Sequence, residues 1–125
     1  MKEKRNVLVV DDEKKIAETI RRYLVSVGYK ADTASSGEDA MKKLKKGLHG
    51  IVILDIMLPG IDGVETVKKL RSIKADVKII MLSGIDDEDL AAKSLRYGAT
   101  DYICKPVDFN YLEKTLLAAT LAAEG

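Results

Sequence analysis

At 125 residues, 46% hydrophobic and 33% charged, the chain fits one domain of common size, with enough apolar material for a core and too much for a disordered segment. Lys plus Arg (21) nearly balance Asp plus Glu (20), and the formal charge of +1 gives no reason to expect direct nucleic-acid binding. One Cys excludes an internal disulfide, no apolar run approaches the roughly 20 residues of a membrane helix, and Met-Lys-Glu-Lys-Arg leads straight into a strand without a signal peptide; the expectation is a cytoplasmic single domain over residues 1–125 with no output domain in the chain.

Apolar runs alternate with helix-period segments five times, which predicts βα units and a parallel sheet. The first strand is Val7 to Val10. A helix follows with Ile16, Ile20, Leu24 and Val27 on one stripe and Gly28 as its stop. The second strand, Lys30 to Ala34, is the most polar and so reads as an edge. The second helix opens at Ser35 or Ser36, buries Ala40, Met41 and Leu44, and stops at Gly47. Ile51 to Leu54 read as a strand buried on both faces and run directly into Asp55. The third helix starts at Asp62, with Glu65 as a capping-box partner and Val64, Val67, Leu70 and Ile73 as its stripe. The fourth strand is Lys78 to Leu82, the fourth helix lies within Asp87 to Tyr97, and Gly98 follows it. The fifth strand is Tyr102 to Cys104, and the fifth helix begins at Asp108. Leu116 to Ala123 of that helix are apolar almost all round, which points to a covered face.

The chemistry collects at strand ends. Asp11, Asp12 and Glu13 close the first strand, Asp55 the third, Ser83-Gly84 the fourth and Lys105-Pro106 the fifth. In a parallel sheet these ends share one edge, where ligands bind in open α/β folds. Three carboxylates there would repel one another, and a hard divalent cation removes the conflict; Mg2+ suits carboxylates, a carbonyl, waters and a phosphate. Asp55 then reads as a nucleophile for a phosphoryl group, Lys105 as a cation for its oxygens and Ser83 as a hydroxyl that bonds one of them. Each piece also has a plain reading. Asp11 and Asp12 alone are a helix N-cap pair, Asp55 a turn former, Ser83 a loop hydroxyl, Lys105 a solvated side chain. Convergence on one edge favours the functional reading.

In order and spacing, Val-Val-Asp11-Asp12, Leu-Asp55-Ile-Met-Leu-Pro59-Gly60-Ile-Asp-Gly63, Ser83-Gly84 and Asp101-Tyr102-Ile-Cys-Lys105-Pro106 resemble the receiver domain of two-component response regulators over nearly the whole chain. The resemblance implies a flavodoxin-like, doubly wound, five-stranded parallel sheet in the order 2-1-3-4-5 with five helices. It implies that Asp55 takes a phosphoryl group from a histidine kinase, a phosphotransfer protein or a small phosphodonor in a Mg2+-dependent reaction. Asp12 matches the direct metal ligand, Asp11 the one acting largely through water, and the Met57 carbonyl the third protein ligand. Ser83 and Tyr102 match the switch hydroxyl and the switch aromatic that turns inward behind it. Lys105 matches the phosphate-pairing lysine, and Lys105-Pro106 is expected to be cis. The face made by the fourth helix, fifth strand and fifth helix matches the family's output surface, where Lys93, Arg96, Asp101 and Lys114 are placed for salt bridges to a downstream protein target or a second copy. The expectation is a switch that phosphorylates and dephosphorylates itself, not an enzyme.

The resemblance implies that Met57 and Ile85, at two positions that vary within the family, flank the route by which water would reach the acyl phosphate. Both are apolar, which is expected to slow self-hydrolysis; an Ile85→Glu variant releasing phosphate at the wild-type rate would remove that expectation. Tyr102 has a plain reading as a core aromatic, Cys104 reads as a small core hydrophobe, and His49, in a Gly-flanked turn, as solvent-exposed. Three alternatives compete. An aspartyl-phosphate phosphatase working through Asp11 would need a substrate pocket. A flavin mononucleotide carrier would need a neutral phosphate loop where this chain has Asp-Asp-Glu. A receiver-like module that no longer phosphorylates would need a broken residue set.

Overall fold

The computed structural model describes residues 6–47, 49–58, 63–84 and 87–124, the last three by their backbone. Five strands, β1 (Asn6–Val10), β2 (Lys30–Ala34), β3 (Ile51–Asp55), β4 (Lys78–Ser83) and β5 (Asp101–Cys104), alternate with five helices, α1 (Lys14–Ser26), α2 (Gly37–Lys46), α3 (Gly63–Ile73), α4 (Glu88–Arg96) and α5 (Phe109–Glu124). The sheet is parallel throughout, in the order β2-β1-β3-β4-β5. This is the flavodoxin-like doubly wound topology, with chain order reversing between β1 and β3.

The period-two geometry of a strand divides its side chains between two cores. Leu8, Val10, Val52, Leu54, Ile79 and Met81 face α2, α3 and α4. Val7, Val9, Ile51, Ile53, Ile80 and Leu82 face α1 and α5, where Ala17, Ile20, Leu24, Leu112 and Leu116 cover them. Every residue of β3 is buried, Asp55 included. The polar β2 is an edge, as its sequence requires.

Local signals act where expected. Ser36 caps α2, its hydroxyl accepting from the Asp39 N–H at 3.0 Å. Asp108 caps α5, accepting from the N–H groups of Asn110 (2.9 Å) and Tyr111 (3.2 Å). Gly28 and Gly98, with φ of 101° and 118°, end α1 and α4 in the left-handed conformation. The α3 stripe of Val64, Val67 and Leu70 is buried, whereas Ile16, Val27, Met41 and Ile73 are only half-buried at the margins of their helices. The expected start of α3 at Asp62 lies outside the described residues. On α5, Leu112, Leu116 and Ala119 face the sheet, while Leu117 and Leu121 face solvent.

Two expectations are corrected. Cys104 is exposed. In β5 only Ile103 turns toward the α1/α5 core, so Tyr102 and Cys104 point to the other side of an edge strand that no helix fully covers. His49 is buried, with 6% of its surface exposed. The flanking glycine that suggested an exposed turn instead makes room for the ring: a Cβ on Gly47 would stand 2.5 Å from the imidazole. The His49 carbonyl accepts from Lys74 Nζ at 2.9 Å, and Nε2 stands 3.7 Å from Asp32 Oδ2.

Burial pulls the His49 pKa down; Asp32 opposes that pull, and Lys74 and Lys43 add to it. The unfolded chain therefore binds the proton more tightly than the folded one. This contribution to stability is intact above the ordinary histidine pKa and is lost as pH falls from there toward the lower folded value. His49 is the only histidine in the chain. Urea unfolding between pH 7.5 and pH 5 should show a loss of stability that a His49→Gln variant reduces; identical pH slopes would contradict it.

Candidate functional site

The carboxyl ends of β1, β3, β4 and β5 form one shallow acidic site. Asp11 is fixed just past β1 by its backbone, its N–H donating to the Ala34 carbonyl of the neighbouring strand at 3.1 Å. Its side chain is 1% exposed. Asp11 Oδ1 accepts from the Glu13 N–H at 2.9 Å, and Oδ2 is buried without a hydrogen-bond partner. The N-cap of α1 is Glu13, which makes no side-chain cap bond, so the plain reading of the pair as N-caps is realised only in the Asp11–Glu13 turn. Asp12 is exposed.

Asp55 ends β3 and is 4% exposed. Its Oδ1 accepts from the Met57 N–H at 3.1 Å and its Oδ2 from Lys105 Nζ at 3.0 Å. Carboxylate oxygens of Asp11, Asp12 and Asp55 lie within 4.8 Å of one another. Desolvation pushes the Asp11 pKa up, and the charges of Asp55 and Asp12 add to it against the Glu13 N–H and Lys105. For Lys105, burial pulls the pKa down, but the bond and charge of Asp55, with Asp11 and Glu13 behind it, outweigh burial and the net shift is upward. The ammonium therefore stays charged.

Ser83, at the end of β4, is buried, and its carbonyl accepts from the Lys105 N–H at 2.7 Å, which sets the two residues side by side. The Lys105-Pro106 bond is cis, as expected. Tyr102 is 39% exposed, turned away from the core. Met57 is 58% exposed at the mouth of the site and enters it through its backbone. Ile85, with Pro59 and Gly60, lies outside the described residues. Asp87, absent from the expected set, is tied to Gly84: its carboxylate accepts from the Gly84 N–H at 2.9 Å, and its own N–H donates to the Gly84 carbonyl at 3.1 Å. The available signal was an Asp three residues after Gly84, a capping spacing.

A hard cation fits this donor set. Three carboxylates converge, one buried oxygen has no donor, and among the described residues one ammonium, that of Lys105, pairs with them. Topology and site together define a doubly wound α/β domain with an acidic edge at the carboxyl ends of its strands. Residues 7–117 match the model of the response regulator receiver domain, and the chain belongs to that family. It is 41% identical over 102 residues to the alkaline phosphatase synthesis transcriptional regulatory protein PhoP of Bacillus subtilis (strain 168), covering 82% of this chain and 42% of that protein. It is 36% identical over 106 residues to the transcriptional regulatory protein PcoR of Escherichia coli, covering 85% of this chain and 47% of that one. The chain thus spans less than half the length of these relatives. The crystal structure of a response regulator receiver domain protein from Clostridium thermocellum superposes with a TM-score of 0.91 at 27% identity, over 95% of this chain and 96% of that one. Among the described residues no helix is long and apolar enough to cross a membrane.

Proposed function

We propose that the chain is a phosphorylation-controlled switch in which Asp55 accepts a phosphoryl group from a sensor histidine kinase, a phosphotransfer protein or a small phosphodonor. The observation that carries this reading is the approach of Lys105 Nζ to Asp55 Oδ2 at 3.0 Å beside two further carboxylates. Asp11, Asp12, Asp55 and the Met57 carbonyl would hold Mg2+, which supplies charge neutralisation for carboxylates and phosphoryl oxygens together. An Asp55 oxygen attacks phosphorus in line with the donor's leaving atom, and the bond to that atom breaks. Lys105, already on Asp55, remains within reach of the new phosphoryl oxygens. Ser83 donates its hydroxyl to one of them, and the exposed Tyr102 turns into the space vacated behind it. The added charge of about −1.5 to −2 drives the change, by analogy with phosphoserine.

The consequence is a rearranged α4-β5-α5 face. Lys93, Arg96, Asp101 and Lys114 are all exposed there and serve contacts with a downstream protein or a second copy. The domain acts in the cytoplasm, makes no direct nucleic-acid contact and turns over no substrate besides its own acyl phosphate. Incubation with acetyl phosphate and Mg2+, followed by mass spectrometry, should add one phosphoryl group to the wild type and none to Asp55→Asn. Equal labelling of both proteins, or none of the wild type, would sink this reading.

A further inference from the structure

A cleft of about 680 Å³ opens between α1 and the segment joining β5 to α5, directly beside the acidic site. Its walls are apolar: Ile16 and Ile20 of α1, Leu82 of β4, then Val107 and Phe109. Lys105, the residue that grips Asp55, belongs to the lining, and Lys15 adds a second cation; among the described residues no carboxylate lines it. The far wall is held firmly. Tyr23 stacks on Phe109 with centroids 4.5 Å apart, and its hydroxyl donates to Glu113 at 2.6 Å, tying α1 to α5. An apolar trough lined in part by Lys105, whose ammonium reaches Asp55 at 3.0 Å, matches one ligand shape: a phosphate head with an apolar tail.

We propose that this cleft is a leaving-group subsite for small acyl phosphates whose acyl portion is apolar and of butyryl to benzoyl size. The inference rests on Asp55 being the phosphoacceptor. With the phosphoryl group at Asp55 and Lys105, the acyl chain lies along Ile16, Ile20, Val107 and Phe109. An Asp55 carboxylate oxygen forms the new O–P bond while the P–O bond to the acyl oxygen breaks. The electron pair leaves with the acyl carboxylate, which departs as an anion past Lys15. No proton is transferred and nothing is oxidised or reduced. Tail burial raises the rate to the extent that it positions the phosphorus for in-line attack.

Initial rates of Asp55 labelling should be compared for acetyl, butyryl and benzoyl phosphate at equal, subsaturating concentration with Mg2+. Two extra buried methylenes, each good for a factor of about four when fully buried, predict butyryl about tenfold ahead of acetyl phosphate. Ile16→Ser and Val107→Ser, both at half-buried wall positions, should cut that ratio to about threefold or less while leaving the acetyl phosphate rate unchanged. Donor reactivity in itself cancels, because each variant meets the same donors as the wild type. Independently of activity, benzylphosphonate added without metal should shift the amide resonances of Ile16, Val107 and Phe109. A butyryl-to-acetyl ratio identical in wild type and both wall variants, or benzylphosphonate shifts confined to other regions, would overturn the subsite. Labelling of Asp55 by all three donors at equal rates would do so while leaving the phosphoacceptor intact; failure of every donor would remove both.

Discussion

An Asp11→Asn substitution is expected to stabilise the metal-free protein and to abolish its response to Mg2+. Asp11 is almost wholly buried, has one oxygen without a hydrogen-bond partner and lies within 4.8 Å of two other carboxylates. Desolvation, reinforced by those carboxylates, raises its pKa, so the folded protein holds the Asp11 proton more tightly than the unfolded chain does. Stability therefore falls as pH rises from the ordinary carboxylate pKa through the raised one, and at neutral pH the cost is present. Asparagine removes the charge but keeps an oxygen for the Glu13 N–H, and its neutral amide no longer repels the two carboxylates within 4.8 Å. The gain is on the order of 1 kcal/mol, a rise of roughly 4 °C in Tm for a domain of this size. If the acidic cluster holds Mg2+ as proposed, loss of one anionic group from it should weaken binding at least about tenfold, and since only binding to the folded state raises stability, millimolar Mg2+ should lift the wild-type Tm and leave the variant's nearly still. Thermal unfolding with and without Mg2+ gives all four values. A variant less stable than wild type in EDTA, or one that Mg2+ stabilises equally, would contradict the electrostatic account.

The same residues explain why the site was largely legible in the sequence. A parallel sheet puts all its strand ends on one edge, so locating Val10, Leu54, Leu82 and Cys104 as strand ends also brings Asp11, Asp55, Ser83 and Lys105 together. Helix bounds were readable where a cap or glycine marks them, as at Ser36, Gly28 and Gly98. What escaped depends on neighbours distant in the chain. Cys104 has the apolar character of a core residue, but whether a helix covers that side of β5 is decided by α4, not by the strand. His49 looked like a turn residue because the space left by Gly47 is filled only once α2 folds back on the start of β3. Ala17 is buried where Ile16 is only half-buried, because Ala17 shares the helix face of Ile20 and Leu24, three and seven residues on. The cleft beside Lys105 arises from the tie between Tyr23 and Phe109, residues of two helices at opposite ends of the chain, and no local pattern announces it.

Gly63→Ala is expected to destabilise the fold and impair Asp55 together. On helix propensity alone, alanine should be better than glycine by about 1 kcal/mol at a helical position. The packing reverses that sign. A Cβ on Gly63 would stand 2.5 Å from the Ile56 carbonyl oxygen, 2.6 Å from its Cα and 2.8 Å from its carbonyl carbon, all backbone atoms with no rotamer to escape through. Ile56 cannot easily retreat. Its side chain is buried, its N–H donates to the Leu82 carbonyl at 2.9 Å, and its carbonyl accepts from the Gly63 N–H at 3.0 Å. Relief must come from parting α3 and the loop after β3, at a net cost of about 2 kcal/mol from overpacking. Because Ile56 directly follows Asp55, that shift moves Asp55 relative to Lys105, and if Asp55 is the proposed phosphoacceptor a displacement approaching 1 Å costs up to about 100-fold in labelling rate. Gly28→Ala is the control. Gly28 has an unfavourable φ of 101° but open space around it, so alanine there should cost about 1 kcal/mol from backbone strain and leave labelling by acetyl phosphate at the wild-type rate. Urea unfolding and acetyl phosphate labelling on both variants separate the cases. If Gly63→Ala folds as stably as wild type and labels at the same rate, the close approach of α3 to Ile56 is not what holds Asp55 in place.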